Sequence, residues 1–330
     1  MAELKSPLNK LRLPIIGAPM FLVSQPNLVI AQCTSGIVGT FPSLNARPQE
    51  ELKKWIKLIK TECQQFKEEN PEKKVGPFGV NLVALDSNKR LRQDLATCIE
   101  EKVPIIITSM KPPTDVVKAV QSYGGLHFHD VINKKHALKA IEAGVDGLIL
   151  VCNGAGGHAG TLNPFAFLHE IRQIYDGIII LAGCISTGKD ILASQILGAD
   201  LVYMGTRFIA TKQANALDDY KNMIVNSSTS DIIYTPEFTG VSANFLGDSI
   251  KNIGYNPRNL APHSHKKPNK LLLLYKHWKM KKIKKWKDLW SAGQGVAAIH
   301  KISTVEECID NLLTQYQAAI EEAEIQKRYL

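Results

Sequence analysis

Short apolar runs alternate with longer segments of helical spacing from residue 13 to residue 206. Eight runs are apolar at consecutive positions and close on Gly, Pro or a polar residue, and they predict strands at 13–20, 36–40, 77–82, 103–108, 125–128, 147–151, 177–181 and 200–204. The segments between them place apolar residues three and four positions apart, which predicts helices at 26–32, 48–66, 88–102, 114–122, 133–143, 164–175 and 187–197. Strands that are apolar throughout are typical of a parallel sheet covered by helices.

Eight such units favour an α/β fold of the (β/α)₈ barrel type over a doubly wound sheet. No GxGxxG opens a helix after the first predicted strand, which also argues against a dinucleotide-binding fold of the doubly wound type. The alternation stops after residue 225. We therefore predict a barrel at 1–225, a smaller inserted cap at 226–293 and a segment at 294–330 that returns to the barrel as a helix. Thr304 and Glu307 have the spacing of a capping box at the start of that helix.

The net charge of +9 comes from one segment of the cap. Ten lysines and no acidic residue lie between Lys266 and Lys287, so the rest of the chain is close to neutral. This distribution of charge argues against a nucleic-acid binder that uses its whole surface. Three interpretations of the basic segment stay open: a solvated helix whose tryptophans pack on the barrel, an anionic membrane surface, or an acidic protein partner.

The remaining composition is that of an ordinary globular protein, with 45% hydrophobic and 22% charged residues in 330. No stretch has the apolar length of a membrane span or of a signal peptide. The six cysteines contain no CxxC pair, so we expect neither zinc nor a disulfide framework, and a cytoplasmic location follows. Cys152 and Cys184 end apolar runs and are expected to be small buried residues.

The residues just after the strands form one face of a barrel, where ligands bind. The candidates at these positions are Ala18, Pro19, Met20, Asn81, Ser109, Met110, Lys111, His129, Asp130, Gly156, Gly157, His158, Ala182, Gly183, Gly205 and Thr206. Glycine turns after the last two strands are typical of a barrel phosphate site, with N–H donors at Gly183 and Gly205 and a hydroxyl at Thr206. The alternative is that these glycines only shape the turns into the next helices.

One histidine stands in the middle of the most glycine-rich turn. His158 follows the apolar run 148–151 and is flanked by Gly154, Gly156, Gly157 and Gly160. Its position after a predicted barrel strand favours a catalytic over a structural role, since a neutral imidazole can accept a proton or orient an anion. No serine or cysteine nucleophile motif and no HExxH accompanies it. Two further histidines lie near a strand end without a third ligand, so no metal site is predicted.

Several blocks in this order resemble the nitronate monooxygenase family, formerly called 2-nitropropane dioxygenases. They are GAPM at 17–20, Asn81, EAGVDG at 142–147, AGGHAG at 155–160, AGCI at 182–185, LGAD at 197–200, MGTRF at 204–208 and SAGQG at 291–295. The resemblance implies an FMN-binding TIM barrel and an oxidoreductase. Two features depart from the family pattern. Val151 and Gly154 stand where the family often has a glutamine and an acidic residue, and the glycine pair after the seventh strand is reduced to Ala182-Gly183.

The resemblance also implies roles for individual residues. Ala18, Pro19, Met20 and Asn81 would lie against the ring and ribityl parts of FMN. Gly157, Gly183, Gly205 and Thr206 would hold the phosphate, and Gly156 and Ala182 would also belong to the cofactor site. His158 would deprotonate a nitroalkane or orient a nitronate beside the flavin, with oxygen as the oxidant.

Two alternatives stay open. The first is an FMN-dependent enoyl-acyl-carrier-protein reductase that uses NAD(P)H, for which the lysine-rich segment would bind an acidic carrier protein. The second is a flavin-binding protein that docks on a partner without turnover.

Overall fold

The computed structural model describes residues 4, 6–111, 114–260 and 286–325. Eight parallel strands form one sheet, in the spatial order β1, β9, β8, β6, β5, β4, β3 and β2. Their bounds are β1 Ile15–Gly17, β2 Gly39–Pro42, β3 Phe78–Ala84, β4 Ile105–Met110, β5 Leu126–Val131, β6 Gly147–Val151, β8 Ile178–Ala182 and β9 Leu201–Met204. The two edge strands meet through a parallel bridge between Ile16 and Val38, so the sheet closes. The predicted (β/α)₈ barrel is confirmed.

Helices cover the outside of the barrel, and eight of the eleven in the described ranges lie close to predicted positions; those at 206–209, 218–225 and 247–252 were not predicted. The eleven are α1 Pro26–Thr34, α2 Glu51–Glu69, α3 Leu91–Glu100, α4 Thr114–Gln121, α5 Lys134–Glu142, α6 Pro164–Arg172, α7 Gly188–Ile196, α8 Thr206–Ile209, α9 Asp218–Val225, α10 Gly247–Asn252 and α11 Val305–Ile325. The capping box predicted before α11 is present, because Thr304 Oγ1 accepts from the Glu307 N–H at 3.1 Å and Glu307 Oε2 accepts from the Thr304 N–H at 2.8 Å. None of the helices in the described ranges is long and apolar enough to cross a membrane.

The barrel interior is apolar over most of its length and becomes polar near the carboxyl ends of the strands. Branched and aromatic side chains from several strands fill the lower part, including Ile16, Ile107, Phe128 and Ile149. Such layers make the barrel a packed core and not a pore. Polar side chains replace these groups near the carboxyl ends of the strands, and there the interior opens into a cavity.

A second, antiparallel sheet stands at the cavity, and the sequence did not predict it. It contains β10 (Ile232–Thr235), β11 (Ala243–Leu246) and the two-residue strand β7 (Gly157–His158). Local pattern could not reveal β7, because its strand conformation depends on pairing with a segment more than 80 residues away. Most of the basic segment, for which an acidic partner was one of three interpretations, lies outside the described residues, at 266–285.

Replacing Phe128 in the lower barrel should destabilise the fold strongly. Phe128→Ala removes a fully buried ring, and we expect a loss of about 3–5 kcal/mol in the free energy of unfolding, measured by chemical denaturation. Phe165→Ala is the matched control, because the Phe165 ring is 63% exposed and its loss should cost less than about 0.5 kcal/mol. Equal effects of the two changes would contradict this description of the core.

Candidate active site

A cavity of about 720 Å³ opens at the carboxyl ends of the barrel strands. This volume is typical of small-molecule sites, which occupy roughly 300–1,000 Å³. All eleven residues for which the sequence suggested a catalytic or cofactor role line it: Ala18, Pro19, Met20, Asn81, Gly156, Gly157, His158, Ala182, Gly183, Gly205 and Thr206. The structure therefore brings together residues from strand ends that are far apart in the chain.

The small antiparallel sheet determines where His158 lies. His158 pairs with Ala243 of β11, and Gly157 pairs with Asn244. The Asn244 side chain also donates to the Ala155 carbonyl at 2.7 Å, and the Tyr234 hydroxyl donates to the Ala159 carbonyl at 2.9 Å. The glycine-rich turn is thus held on both sides of its histidine, which restricts the movement that so many glycines would otherwise allow.

Hydrogen bonds define the tautomer of His158. Its Nε2 lies 3.3 Å from Thr239 Oγ1, and the Thr239 hydroxyl donates its own proton to the Val241 carbonyl at 2.6 Å. Because a hydroxyl has only one proton, Thr239 must accept from His158, so Nε2 carries the hydrogen and Nδ1 is the acceptor nitrogen of the neutral ring. Desolvation lowers the pKa of His158, which favours the neutral ring at pH 7. The Trp286 ring packs edge-on against the imidazole, with the centroids 5.3 Å apart.

Glycines bring three loops into contact on one side of the cavity. The Gly293 N–H donates to Thr206 Oγ1 at 2.9 Å. A Cβ at Gly156 would lie 2.9 Å from the Gly293 nitrogen, and a Cβ at Gly183 would lie 2.8 Å from the Asn153 carbonyl oxygen. Gly183 also has φ +124°, a conformation that favours glycine. These close approaches leave backbone edges, not side chains, on this cavity wall.

Cys184 helps to explain why a glycine stands at position 154, where the family often has an acidic residue. A Cβ at Gly154 would lie 2.3 Å from Cys184 Sγ and 2.9 Å from Gln294 Oε1, so both side chains fill the space that a larger residue at 154 would need. The prediction that Cys184 is buried was wrong: it is exposed, lines the cavity and has φ +58°. The turn after β8 was predicted from Gly183, but the apolar pattern did not show that Cys184 would be exposed at the cavity. Cys152 is buried as predicted.

A chain of hydrogen bonds crosses the cavity floor. Asn81 Nδ2 donates to Ser109 Oγ at 2.9 Å, and Ser109 Oγ donates to Asp130 Oδ2 at 2.6 Å. Burial raises the pKa of Asp130 to about 6, against the opposing effect of the Ser109 hydrogen bond. Asp130 Oδ1 and the Tyr203 hydroxyl are both buried and have no hydrogen-bond partner among the described residues. The floor therefore retains two unsatisfied polar atoms beneath the cavity.

His127 and His129 do not take part in this site. They project from β5 on the face opposite to Asp130, and both rings lie within hydrogen-bond distance of Thr108 Oγ1, at 3.0 Å and 2.7 Å. Burial lowers the pKa of His127 to about 3 and that of His129 to about 4, so both are neutral packing residues. The inclusion of His129 among the strand-end candidates was therefore wrong. Within the described ranges, no group of three His, Cys, Asp or Glu side chains could hold a metal.

Several cavity residues had no role in the sequence prediction. They are Cys184, Tyr203, Tyr220, Trp286, Ser291 and Gly293. The SAGQG block at 291–295 was a signal for the last two, since its spacing matches the family. Tyr203 lies inside a predicted strand, where only the strand register shows which face it takes. No local pattern indicated Tyr220, and Trp286 was expected only as one of the tryptophans of the basic segment that could pack on the barrel.

The family model for nitronate monooxygenase matches residues 2–315, nearly the whole chain. The chain belongs to the nitronate monooxygenase family. It is therefore an FMN-dependent oxidoreductase. The cavity suits this cofactor, because its glycine wall offers N–H donors at close range and its floor holds two buried polar atoms without partners.

Relatives of this family member carry different activities in their names. A (3aS,4S,5R,7aS)-5-hydroxy-7a-methyl-1-oxo-octahydro-1H-indene-4-carboxyl-CoA dehydrogenase of Rhodococcus jostii is 26% identical over 76% of this chain and 68% of its own length. A probable nitronate monooxygenase of Staphylococcus aureus is 24% identical over 69% and 73%. The structure of FabK from Thermotoga maritima is 23% identical, with a TM-score of 0.78 over 98% of this chain and 97% of that one; it shows that the fold is shared.

Gly154→Ala should lower the free energy of unfolding by more than the strain of a left-handed backbone alone would. Gly154 and Gly124 have similar positive φ values, +75° and +81°, but a Cβ at Gly124 meets nothing within 4 Å. We expect Gly124→Ala to cost about 1 kcal/mol and Gly154→Ala at least about 2 kcal/mol in denaturant unfolding. Adding Cys184→Ala should recover part of the second loss, because it removes the clashing sulfur. Equal losses for the two glycines would show that Cys184 does not fill this space.

Proposed function

We propose that this flavoenzyme oxidises alkyl nitronates with oxygen as the oxidant and that His158 is its catalytic base or substrate-orienting group. The observation that carries the proposal is the His158 ring, which lines the cavity and is held by a hydrogen bond from Nε2 to Thr239. The family supports this reaction, and so does the name of the Staphylococcus relative, a probable nitronate monooxygenase.

Different cavity residues would bind different parts of FMN. Gly183, Gly205 and Thr206 would hold its phosphate through N–H and hydroxyl donors, together with Gly156 and Gly157 of the histidine turn. Ala18, Pro19 and Met20 would pack against the ring, and Asn81 would offer its amide from the floor. Ala182 leaves the approach to the phosphate free of a larger side chain. When bound, FMN supplies the chemistry that accepts electrons from an organic substrate and passes them to oxygen.

His158 would act on the proton and on the charge of the substrate. A neutral imidazole at pH 7 can remove the acidic proton next to a nitro group through Nδ1, and the cation formed can then hold the nitronate by attraction. Thr239 fixes the ring by accepting from Nε2. Trp286 contacts the imidazole in a T-shaped arrangement and so covers part of one side of it.

An acyl-thioester oxidoreductase is the second candidate, and the cavity mouth favours it. Leu85, Met110, Ile132 and Val241 are exposed apolar side chains that all line this mouth. Clusters of this kind mark binding sites for apolar ligands. The relative from Rhodococcus is named for a bicyclic acyl-CoA, which carries such an apolar body.

Replacing His158 should separate catalysis from cofactor binding. In His158→Asn we expect FMN to stay bound, seen in the absorbance spectrum, while the rate of flavin bleaching by propionate 3-nitronate without oxygen falls about 10²–10⁴-fold. His169→Asn is the control, because His169 is exposed on α6 and contacts Gln173, away from the cavity. Full activity in His158→Asn would overturn the catalytic assignment.

The two candidate functions differ in the compound that reduces the flavin and in whether an apolar substrate binds at the cavity mouth. If the chain is a nitronate oxidase, propionate 3-nitronate bleaches the flavin and NAD(P)H alone does not; the reverse result favours the thioester candidate. For a thioester substrate with an apolar chain, Met110→Ser should lower kcat/KM roughly tenfold, since an apolar side chain of this size contributes about 1.5–3 kcal/mol when covered. Leu138→Ser, exposed on α5 outside the cavity, should leave kcat/KM unchanged.

A further inference from the structure

Asp130 is the one carboxylic acid among the described residues that line the cavity, and no lysine or arginine lines it there. A buried carboxylate is ordinarily balanced by a cation or by several hydrogen bonds. Here Oδ2 accepts one hydrogen bond from Ser109, and Oδ1 is buried without a partner among the described residues. The negative charge of Asp130 is therefore poorly compensated.

The groups around Asp130 do not supply the missing positive charge. Across the floor, Tyr203 on β9 has an equally unpartnered buried hydroxyl, and burial followed by the charge of Asp130 raises the pKa of Tyr203. From the upper cavity, His136 of α5 and His158 of β7 line the same space. His129, the nearest titratable neighbour on β5, faces the other way toward Thr108. Asp130 is thus an acid whose ionisation responds to any further charge placed above it.

FMN brings such a charge. On two-electron reduction the isoalloxazine ring gains negative charge unless it takes up two protons. In a low-dielectric cavity without a cation, that charge and an ionised Asp130 repel each other strongly. Reduction of the cofactor and protonation of Asp130 must therefore favour one another by linkage.

We propose that Asp130 tunes the reduction potential of bound FMN and takes up a proton when the cofactor is reduced. The proposal rests on the placement of FMN in this cavity, but not on which organic compound is oxidised. Reduction of bound FMN by two electrons and one proton from the organic substrate would draw one further proton from solvent onto the Asp130 carboxylate. When oxygen takes the two electrons, the flavin proton and the carboxylate proton would leave with them, which balances the formation of hydrogen peroxide. Asp130 acts through its charge and does not touch the reacting carbon.

The test is spectroscopic potentiometry of the FMN-loaded enzyme and of Asp130→Asn between pH 5 and pH 8.5. At pH 8, where Asp130 is ionised, removal of its charge should raise the ratio of reduced to oxidised flavin at a fixed potential about tenfold, which is about 30 mV for a two-electron couple. At pH 5, where Asp130 is protonated, the two proteins should agree. Asp86→Asn removes an exposed carboxylate from the same end of the barrel and should change neither value.

Two further measurements test the proposal even if Asp130→Asn binds FMN poorly. Ser109→Ala removes the hydrogen bond that favours the ionised carboxylate, so its potential should exceed that of the wild type near pH 7 and match it at pH 5. Without FMN, the folded-state pKa of Asp130 lies above its unfolded value, so the stability of the wild type relative to Asp130→Asn should fall as the pH rises from 4 to 7.

Equal potentials of wild type and Asp130→Asn at pH 8, or the same difference at both pH values, would overturn the proposal. If Asp130→Asn does not hold FMN, an unchanged potential in Ser109→Ala near pH 7 would overturn it. Nitronate oxidation plays no part in these measurements. A wild type that shows the pH-dependent difference but does not react with nitronates would retain the role of Asp130 and lose the proposed substrate.

Discussion

The candidate site depends on one short piece of backbone pairing. Gly157 and His158 form a strand only because β11 lies antiparallel to them, and that pairing joins the turn after β6 to a segment more than 80 residues later. The same turn is held from another side, since the Gln294 N–H donates to the Gly154 carbonyl at 2.8 Å. A histidine in a run of glycines would otherwise sample many positions. The small sheet and the 291–295 segment convert this flexible sequence into a defined place for an imidazole.

The electrostatics of the cavity follow from the lack of cationic side chains among its described lining residues. Among the described lining residues there is no lysine or arginine, so an anionic ligand must be met by backbone N–H groups, hydroxyls and histidine. Glycines serve that purpose because they let backbone approach the ligand closely. The same lack of cations leaves Asp130 uncompensated. One feature of the walls thus accounts for both the proposed mode of phosphate binding and the proposed sensitivity of the flavin to the ionisation of Asp130.

Much of this arrangement could be predicted from sequence, for specific reasons. Runs such as 147–151 and 177–181 are apolar on both faces, which identifies buried parallel strands, and their ends place Gly156, Gly183 and Gly205 on one rim. Properties that depend on strand register could not be predicted. His129 and Asp130 are neighbours, yet only the structure shows that one faces the helices and the other the cavity. The exposure of Cys184 and the formation of β7 likewise depend on contacts distant in sequence.

A crystal structure of the enzyme with FMN is the most direct test of this site. We expect the phosphate at Gly183, Gly205 and Thr206, the ring above Asn81 and Asp130, and His158 Nδ1 facing the space beside the ring. A phosphate bound elsewhere, or a ring that leaves the cavity floor uncovered and His158 turned away, would contradict it.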